Sequence, residues 1–444
     1  MGAIRRAHGA ARPVSERIAE SIVAKARALL ERIDAINPRV NAYVAIDRDA
    51  VLRDAAVLDA IPDDARGPLH GTTLAVKDII DVAGLPTRAG SSFFRRDPDR
   101  DSPVVAALRD AGALIVGKTN THEFAWGITT ENPHFGRTVN PWSSDGHDRT
   151  AGGSSGGSGA AVAAGLCDVA LGTDTLGSIR IPSALNGVSG IRPATGAVPI
   201  DGIFPLAIGL DTVGPLARDL AAVQRAYEVI ADVAVRAVDV RRACRLRGDR
   251  WDRVDPAVAS ALDAACAALR ADGVHVDDVA WWDEDLIGAV AAVQQRTAAR
   301  VHEAMFAANE SAYGGDVRAR VANALAVTVE AENDAREAIE RARASWRRAT
   351  GGYDVAIAPV TASEAPIMPA APDFRANVIP LVTPASGFGL PAAAVPAGFG
   401  PAGMPIGMQL IATAPDPAAA FALGRRFQSA TDWHRRTPGL LTPA

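Results

Sequence analysis

The chain has 444 residues, enough for one large domain or two to three ordinary ones, and its 48% hydrophobic and 22% charged residues are those of a globular protein. The net charge of −5 carries no acidic or basic block, so composition suggests neither nucleic acid nor a membrane surface as a partner. Ala-rich stretches such as 289–308 are interrupted by Gln, Arg and His and are too polar to span a bilayer, and MGAIRRAHGAARP at the start lacks the apolar run of a secretory signal.

Residues 15–36 read as an amphipathic helix, with Ile18, Ile22, Ala26, Leu29, Leu30 and Ile33 near helical spacing. LAVKDII (74–80) is a short β-type run with Lys77 in its middle. SPVVAALRDAG (102–112) reads as a helix capped by Ser102, opened by Pro103 and ended by Gly112, and ALIVGKTN (113–120) as the strand after it. The same helix-then-strand order recurs at 255–279, where Asp255 caps, Pro256 starts and Gly273 stops. YDVAIAPV (353–360) and GMPIGMQLIA (403–412) are further strands, whereas the Pro- and Ala-rich 363–385 reads as a long loop. The alternation argues for an α/β domain with helices packed around a sheet. Within a single domain over 1–444 we expect a helical N-terminal segment at about 15–60, a core at about 65–220, a mostly helical region at about 225–350 and C-terminal core strands at about 353–430.

Of 46 basic residues only three are lysines, Lys25, Lys77 and Lys118. Arginine keeps its proton near neutral pH, whereas a buried lysine can give its proton up. Lys25, on the first helix, reads as a solvated face residue; Lys77 and Lys118 sit among apolar neighbours. Cys167, Cys244 and Cys266 are odd in number and widely spaced, which fits a reducing cytoplasm, and without CxxC spacing or a His cluster no metal site is expected.

The stretch TAGGSSGGSGAAVAAGLCDVALGTDTLGSIRIPSALNG (150–187) carries the most chemistry. A flexible linker would explain GGSSGGSG, but a small-residue helix, AAVAAG, and an apolar strand, DVALGTD, follow at once. A Walker loop would need a lysine after its last glycine, and a dinucleotide fingerprint a GxGxxG run; neither is present. Glycines packed around serines suggest instead a backbone that comes close to a small reacting group and offers it N–H donors.

Two segments here resemble the amidase-signature family: TAGGSSGGSGAAVAAG its glycine-serine loop, and GTDTLGSIRIPS its nucleophile turn, with Ser154 and Ser178 24 positions apart. The resemblance extends through LHGTTLAVKDIIDVAGLPTRAGS, GALIVGKTNTHEFAWG, GLDTVGPLARD and GMPIGMQLI, nearly the whole chain in order. It implies a single domain with a large mixed β-sheet surrounded by α-helices. It also implies Ser178 as the acylated nucleophile, Ser154 after a cis Gly153–Ser154 bond as the bridging serine, and Lys77 as the terminal base. The backbone N–H groups of Thr175, Leu176, Gly177 and Ser178 match the oxyanion hole, Asp174 and Arg180 the braces of the turn, and Trp126 and Gly127 a loop lining the acyl site. The residue chemistry agrees: a serine needs a base to take its proton, the eight histidines form no Ser/His/Asp order, and burial lowers a lysine toward neutrality. Lys118 is left a structural or electrostatic part.

The expected activity is hydrolysis of a carboxamide with no cofactor and no metal, acting on a small-molecule amide in the cytoplasm. Two other readings stand beside it: the glutaminase subunit of a tRNA-dependent amidotransferase, although IDGIFPLAIGLDTVGP lacks the basic, Tyr-containing run expected there, and a non-catalytic binding protein on the same fold. The sequence leaves open which amide is cleaved and whether the chain forms a homo-oligomer. Leu176, where the family usually has glycine, Ala151 in place of proline, and the longer NPWSSDGHDRTAGG connection depart from the pattern.

Overall fold

The computed structural model describes residues 21–441. The amphipathic stretch near the N-terminus forms a helix over Ile22–Val40 that buries Ile22, Ala26, Leu30 and Ile33 and ends at Asn41 in the left-handed region; the expected portion before residue 21 lies outside the described residues. One mixed sheet of 11 strands organises the rest. In chain order these are β1 Tyr43–Ala45, β2 Thr73–Lys77, β3 Leu114–Thr119, β4 Val169–Asp174, β5 Ser189–Arg192, β6 Thr212–Ala217, β7 Arg242–Arg247, β8 His275–Ala280, β9 Val355–Pro359, β10 Ala392–Phe399 and β11 Pro405–Ala412. Their order across the sheet is β1-β3-β2-β4-β6-β5-β10-β11-β9-β7-β8. β2 runs parallel to both β3 and β4, while β4 meets β6 antiparallel, so Lys77 and Asp174 close two neighbouring strands at the same end. The open side of such parallel strands, at their C-terminal ends, is where α/β sheets commonly hold ligands.

β2, β3, β4, β9 and β11 are buried along their whole length, which explains why they read as continuous apolar runs rather than alternating ones. The helix expected after Ser102 spans Pro103–Asp110, and the one after Asp255 spans Pro256–Ala271, each with proline at its first position.

Two regions differ from the sequence reading. The span 363–385 is not a long loop, because Pro372–Gly387 is a helix despite Pro380 and Pro384 inside it. Buried packing of Phe374, Val378, Leu381 and Val382 holds it, and the core adds side-chain donors to its carbonyls: Gln409 Nε2 donates to Leu381 O (2.8 Å) and Arg180 Nη1 to Val382 O (3.0 Å). Within 225–350, β7 is a strand the sequence reading did not expect; together with β8, the strand expected after Gly273, it extends the sheet to its edge, and the helices Glu284–Asn309, Gly315–Leu325 and Val329–Thr350 pack beside it.

The glycine-serine stretch is buried from Ala151 to Ala164 and continues into the helix Gly156–Ala163. A Cβ on Gly157 would lie 2.5 Å from the backbone N and O of Asn120 and 2.7 Å from Ala42 O, and one on Gly156 2.4 Å from Thr130 Oγ1. Glycine is required there by close approach, of the Asn120 and Ala42 backbone at Gly157 and of the Thr130 side chain at Gly156, not by flexibility. Gly157→Ala should therefore cost at least about 1–3 kcal/mol of stability, the usual penalty of overpacking. Urea unfolding of the variant measures it; an unchanged midpoint would mean that the helix can shift away from Asn120.

Candidate active site

β2 ends in Lys77, whose side chain is fully buried. Its Nζ lies 2.6 Å from Ser154 Oγ and 2.8 Å from Thr173 Oγ1. Burial pulls the Lys77 ammonium down to about 7, against the opposing influence of Asp211 and Asp174. Ser154 follows a cis peptide bond from Gly153 and is itself fully buried. Thr121 and Thr130 both donate their hydroxyls to Ser154 O (3.0 and 3.2 Å), which fixes the backbone that carries it.

Ser178 stands on the turn between β4 and the helix Arg180–Asn186. The turn is wrapped around Asp174: Gly177 N–H donates to its Oδ1 (2.7 Å), Ile179 N–H to its Oδ2 (3.3 Å), and Arg180 Nε to Oδ2 (3.0 Å). Arg192 adds a second guanidinium, at 3.4 Å from Oδ1. Although burial works against its charge, the two guanidinium groups and the turn's N–H donors hold the Asp174 carboxyl well below the usual carboxylate range. Arg180 ties the turn outward to Gln409 Oε1 and Ser386 Oγ, both at 2.8 Å.

The resemblance places Gly177 among the oxyanion donors; in this structure its N–H donates to Asp174 Oδ1. The amides of Thr175, Leu176 and Ser178 have no acceptor among the described residues and remain the candidates. The structure brings Lys77 and Ser154 into contact but records no hydrogen bond between the hydroxyls of Ser154 and Ser178; those segments are joined by Ser155 N–H to Ser178 O (3.3 Å). Catalytic contacts are often loose before substrate arrives.

Ser178 lines a narrow cavity together with Trp126, Gly127, Leu176, Gln294 and Arg375. About 10 Å³ of it is open to the centre of a water molecule, room for about one water. A second cavity, about 20 Å³ by the same measure, shares Ala125, Thr175 and Leu206 with it and reaches Thr173 and Asp211. Trp126 and Gly127 lie on a loop whose Phe124, Ala125 and Thr130 hold φ of 49°, 58° and 53°. Such angles are uncommon for residues with a Cβ and gather at sites where the surroundings enforce them. The enforcement is visible: Phe124 N–H donates to Ala89 O (2.7 Å), and Arg320 donates to Trp126 O. A Cβ on Gly127 would fall 2.2 Å from His122 Nε2, so only glycine fits.

The other two lysines also have partners. Lys25 is not simply solvated: its Nζ bonds Asp168 (2.7 Å) and Gly71 O (3.0 Å), tying the first helix to the sheet. Lys118, in register with Val76, is buried against Asp78 (3.3 Å) and Thr87 Oγ1 (2.9 Å). Sequence reasoning missed Thr173, Gln294, Arg320, Arg375 and Asp211. Thr173 stood within the quoted GTDTLG and Asp211 within GLDTVGPLARD, whereas Gln294, Arg320 and Arg375 are brought in from remote segments. Among the described residues no three or more His, Cys, Asp or Glu side chains gather as a metal site, and no helix is long and apolar enough to cross a membrane.

Residues 24–417 match the Amidase family, and the chain belongs to it: it is a hydrolase acting on carbon–nitrogen bonds. It is 34% identical to a glutamyl-tRNA(Gln) amidotransferase subunit of Roseiflexus sp. (strain RS-1), over 93% of this chain and 94% of that one. Among solved structures it is similar to one described as an amidase (TM-score 0.87, 33% identity, 92% of this chain and 96% of that one). It is also similar to a peptide amidase in complex with the competitive inhibitor chymostatin (TM-score 0.82, 28% identity, 94% of this chain and 95% of that one).

The Lys118–Asp78 pair generates a stability prediction. Lys118→Met should cost about 3–5 kcal/mol, because it strands a buried carboxylate next to Lys77. Adding Asp78→Asn should recover part of the loss in chemical denaturation; equal loss in single and double variants would mean that the two charges do not depend on each other.

Proposed function

We propose that this chain hydrolyses the C–N bond of a small carboxamide through an acyl-enzyme on Ser178. The observation that carries the reading is Lys77 Nζ at 2.6 Å from Ser154 Oγ, with its amine drawn to about 7 by burial. Neutral Lys77 takes the proton of Ser154 as Ser154 takes that of Ser178, whose Oγ attacks the carbonyl carbon. The N–H groups of Thr175, Leu176 and Ser178 receive the oxyanion. The C–N bond breaks as the proton returns through Ser154 to the leaving nitrogen. Water then attacks the ester, giving a carboxylate and restoring Ser178. Asp174 and Arg180 hold the turn and do not react. Free, buried Cys167, Cys244 and Cys266 support a reducing compartment such as the cytoplasm.

A second reading, the glutaminase component of a tRNA-dependent amidotransferase, is favoured by the 34% identity to the Roseiflexus protein over 93% of the chain. Turnover of simple amides by the isolated chain supports the first reading; glutamine hydrolysis that requires a co-purifying partner protein supports the second.

A fluorophosphonate should label Ser178 and no other serine, read by peptide mapping; label on Ser155 or Ser158 would refute the assignment. Activity should rise with pH through an acid limb near 7, since the folded amine is lowered from 10.5 to about 7 and only the neutral form accepts a proton. Lys77→Arg should be nearly as inactive as Lys77→Ala, because a guanidinium stays protonated. Substantial turnover in Lys77→Arg would rule this base out.

Leu176 puts a side chain where it narrows the cavity at Ser178. Leu176→Gly should keep activity on the smallest good substrate and gain about tenfold to two-hundredfold on bulkier or N-substituted amides, the worth of one hydrophobic contact. kcat/KM across amides of graded size measures this. An equal loss on all of them would mean that Leu176 sets the oxyanion backbone instead.

A further inference from the structure

Arg375 sits near the start of the helix Pro372–Gly387 and lines the same cavity as Ser178, half-buried. Among the described residues it has neither a hydrogen bond nor an ion pair; its charge meets only the through-space influence of Arg320 and Asp316. Burial and Arg320 lower the guanidinium to about 10, so it remains a cation at neutral pH. The neighbouring charges are already engaged. Asp316 bonds His122 Nε2 (2.9 Å) and Arg320 (3.3 Å), and Arg320 also donates to the carbonyl of Trp126. Asp211, at the adjoining cavity, accepts from Thr175 Oγ1 (2.6 Å), Leu206 N–H (2.9 Å) and Ala207 N–H (2.8 Å). Arg375 is thus a cation at the cavity wall with no ion pair among the described residues. No carboxylate lines the cavity at Ser178, whose other polar side chains are Gln294, Thr175 and Ser178 itself.

We propose that Arg375 binds a carboxylate carried on the acyl part of the substrate, so that this enzyme cleaves short amides that end in a negative charge. The inference rests on Ser178 as the nucleophile of the reading above. A guanidinium fork matches a carboxylate with two parallel hydrogen bonds, and the planar amide of Gln294 supplies a further donor on the same wall. Trp126, Leu176 and Ile379 put apolar surface on the same wall, and because the cavity as it stands has room for about one water, a bound amide requires these side chains to move apart. A cationic substrate would meet Arg375 with no carboxylate to offset the repulsion.

The test is a charge series of nearly equal size: succinamate, its neutral isostere succinamide, and the cationic 4-aminobutanamide. For the wild type, kcat/KM should be at least tenfold higher for succinamate than for succinamide, with 4-aminobutanamide lowest. Arg375→Leu should reduce the anion-to-neutral ratio to below threefold, mainly through KM, and Arg375→Lys should restore part of it. Calorimetry on Ser178→Ala reads binding without turnover: succinamate should bind tenfold or more tightly than succinamide, and the difference should vanish when Arg375→Leu is added. Equal binding of the two amides to Ser178→Ala, or an undiminished preference in Arg375→Leu, would overturn the inference. Should the wild type label with no phosphonate and turn over no amide while Ser178→Ala still binds succinamate through Arg375, the hydrolytic reading fails and the carboxylate site stands.

Discussion

Lys77 is sealed from water with two hydroxyls, those of Ser154 and Thr173, as its hydrogen-bond partners. A buried ammonium is costly unless a counter-charge sits beside it, so withholding one makes the neutral amine accessible near pH 7. Lys118, one strand away and equally buried, shows the alternative. It faces Asp78 at 3.3 Å, where Lys77 has only hydroxyls. Two lysines on neighbouring parallel strands thus differ in what lies within hydrogen-bond reach of each amine, and the proposed role of Lys77 as a base rests on that difference.

That arrangement requires a site packed too tightly for ordinary side chains. Gly156 and Gly157 let the helix after Ser154 press against Thr130 and Asn120, and Gly127 leaves room for the ring of His122. The nucleophile turn solves the same problem electrostatically. Asp174 gathers the N–H groups of Gly177 and Ile179 and the guanidinium groups of Arg180 and Arg192, so one carboxylate fixes the turn on both sides of Ser178. The Gly177 N–H is engaged in this way, while the amides of Thr175, Leu176 and Ser178 have no acceptor among the described residues.

How much of this was legible in the sequence follows from how local each interaction is. Lys77, Ser154 and Ser178 stand in compact motifs; the scarcity of lysine draws attention to Lys77 and Lys118 alike, and the resemblance around LAVKDII separates the two. Buried strands such as Val355–Pro359 and Pro405–Ala412 show as apolar runs. The helix Pro372–Gly387 was hidden because Pro380 and Pro384 argue against it locally, while the buried packing and the bonds from Arg180 and Gln409 that hold it come from distant segments. β7 was missed for another reason: RACRLR has arginines at half its positions, and Arg245 is nonetheless buried in it, paired with Asp263. The fate of the Gly177 N–H depends on the rotamer of Asp174, about which spacing says nothing.

The parts that were legible and those that were not also divide by task. The groups assigned to bond breaking come from residues 77–178, on the ends of two adjacent parallel strands and the turns that leave them. The wall opposite comes from Gln294 on the helix Glu284–Asn309 and from Arg375 and Ile379 on the helix Pro372–Gly387, with Arg320 on Gly315–Leu325 behind the Trp126 carbonyl. Side chains on that wall touch none of Lys77, Ser154 or Asp174 through a hydrogen bond, so they can change without disturbing the proton relay or the turn. A family that keeps one reaction while altering its substrates needs such a division, and here the Arg375 cation lies on the side that is free to vary.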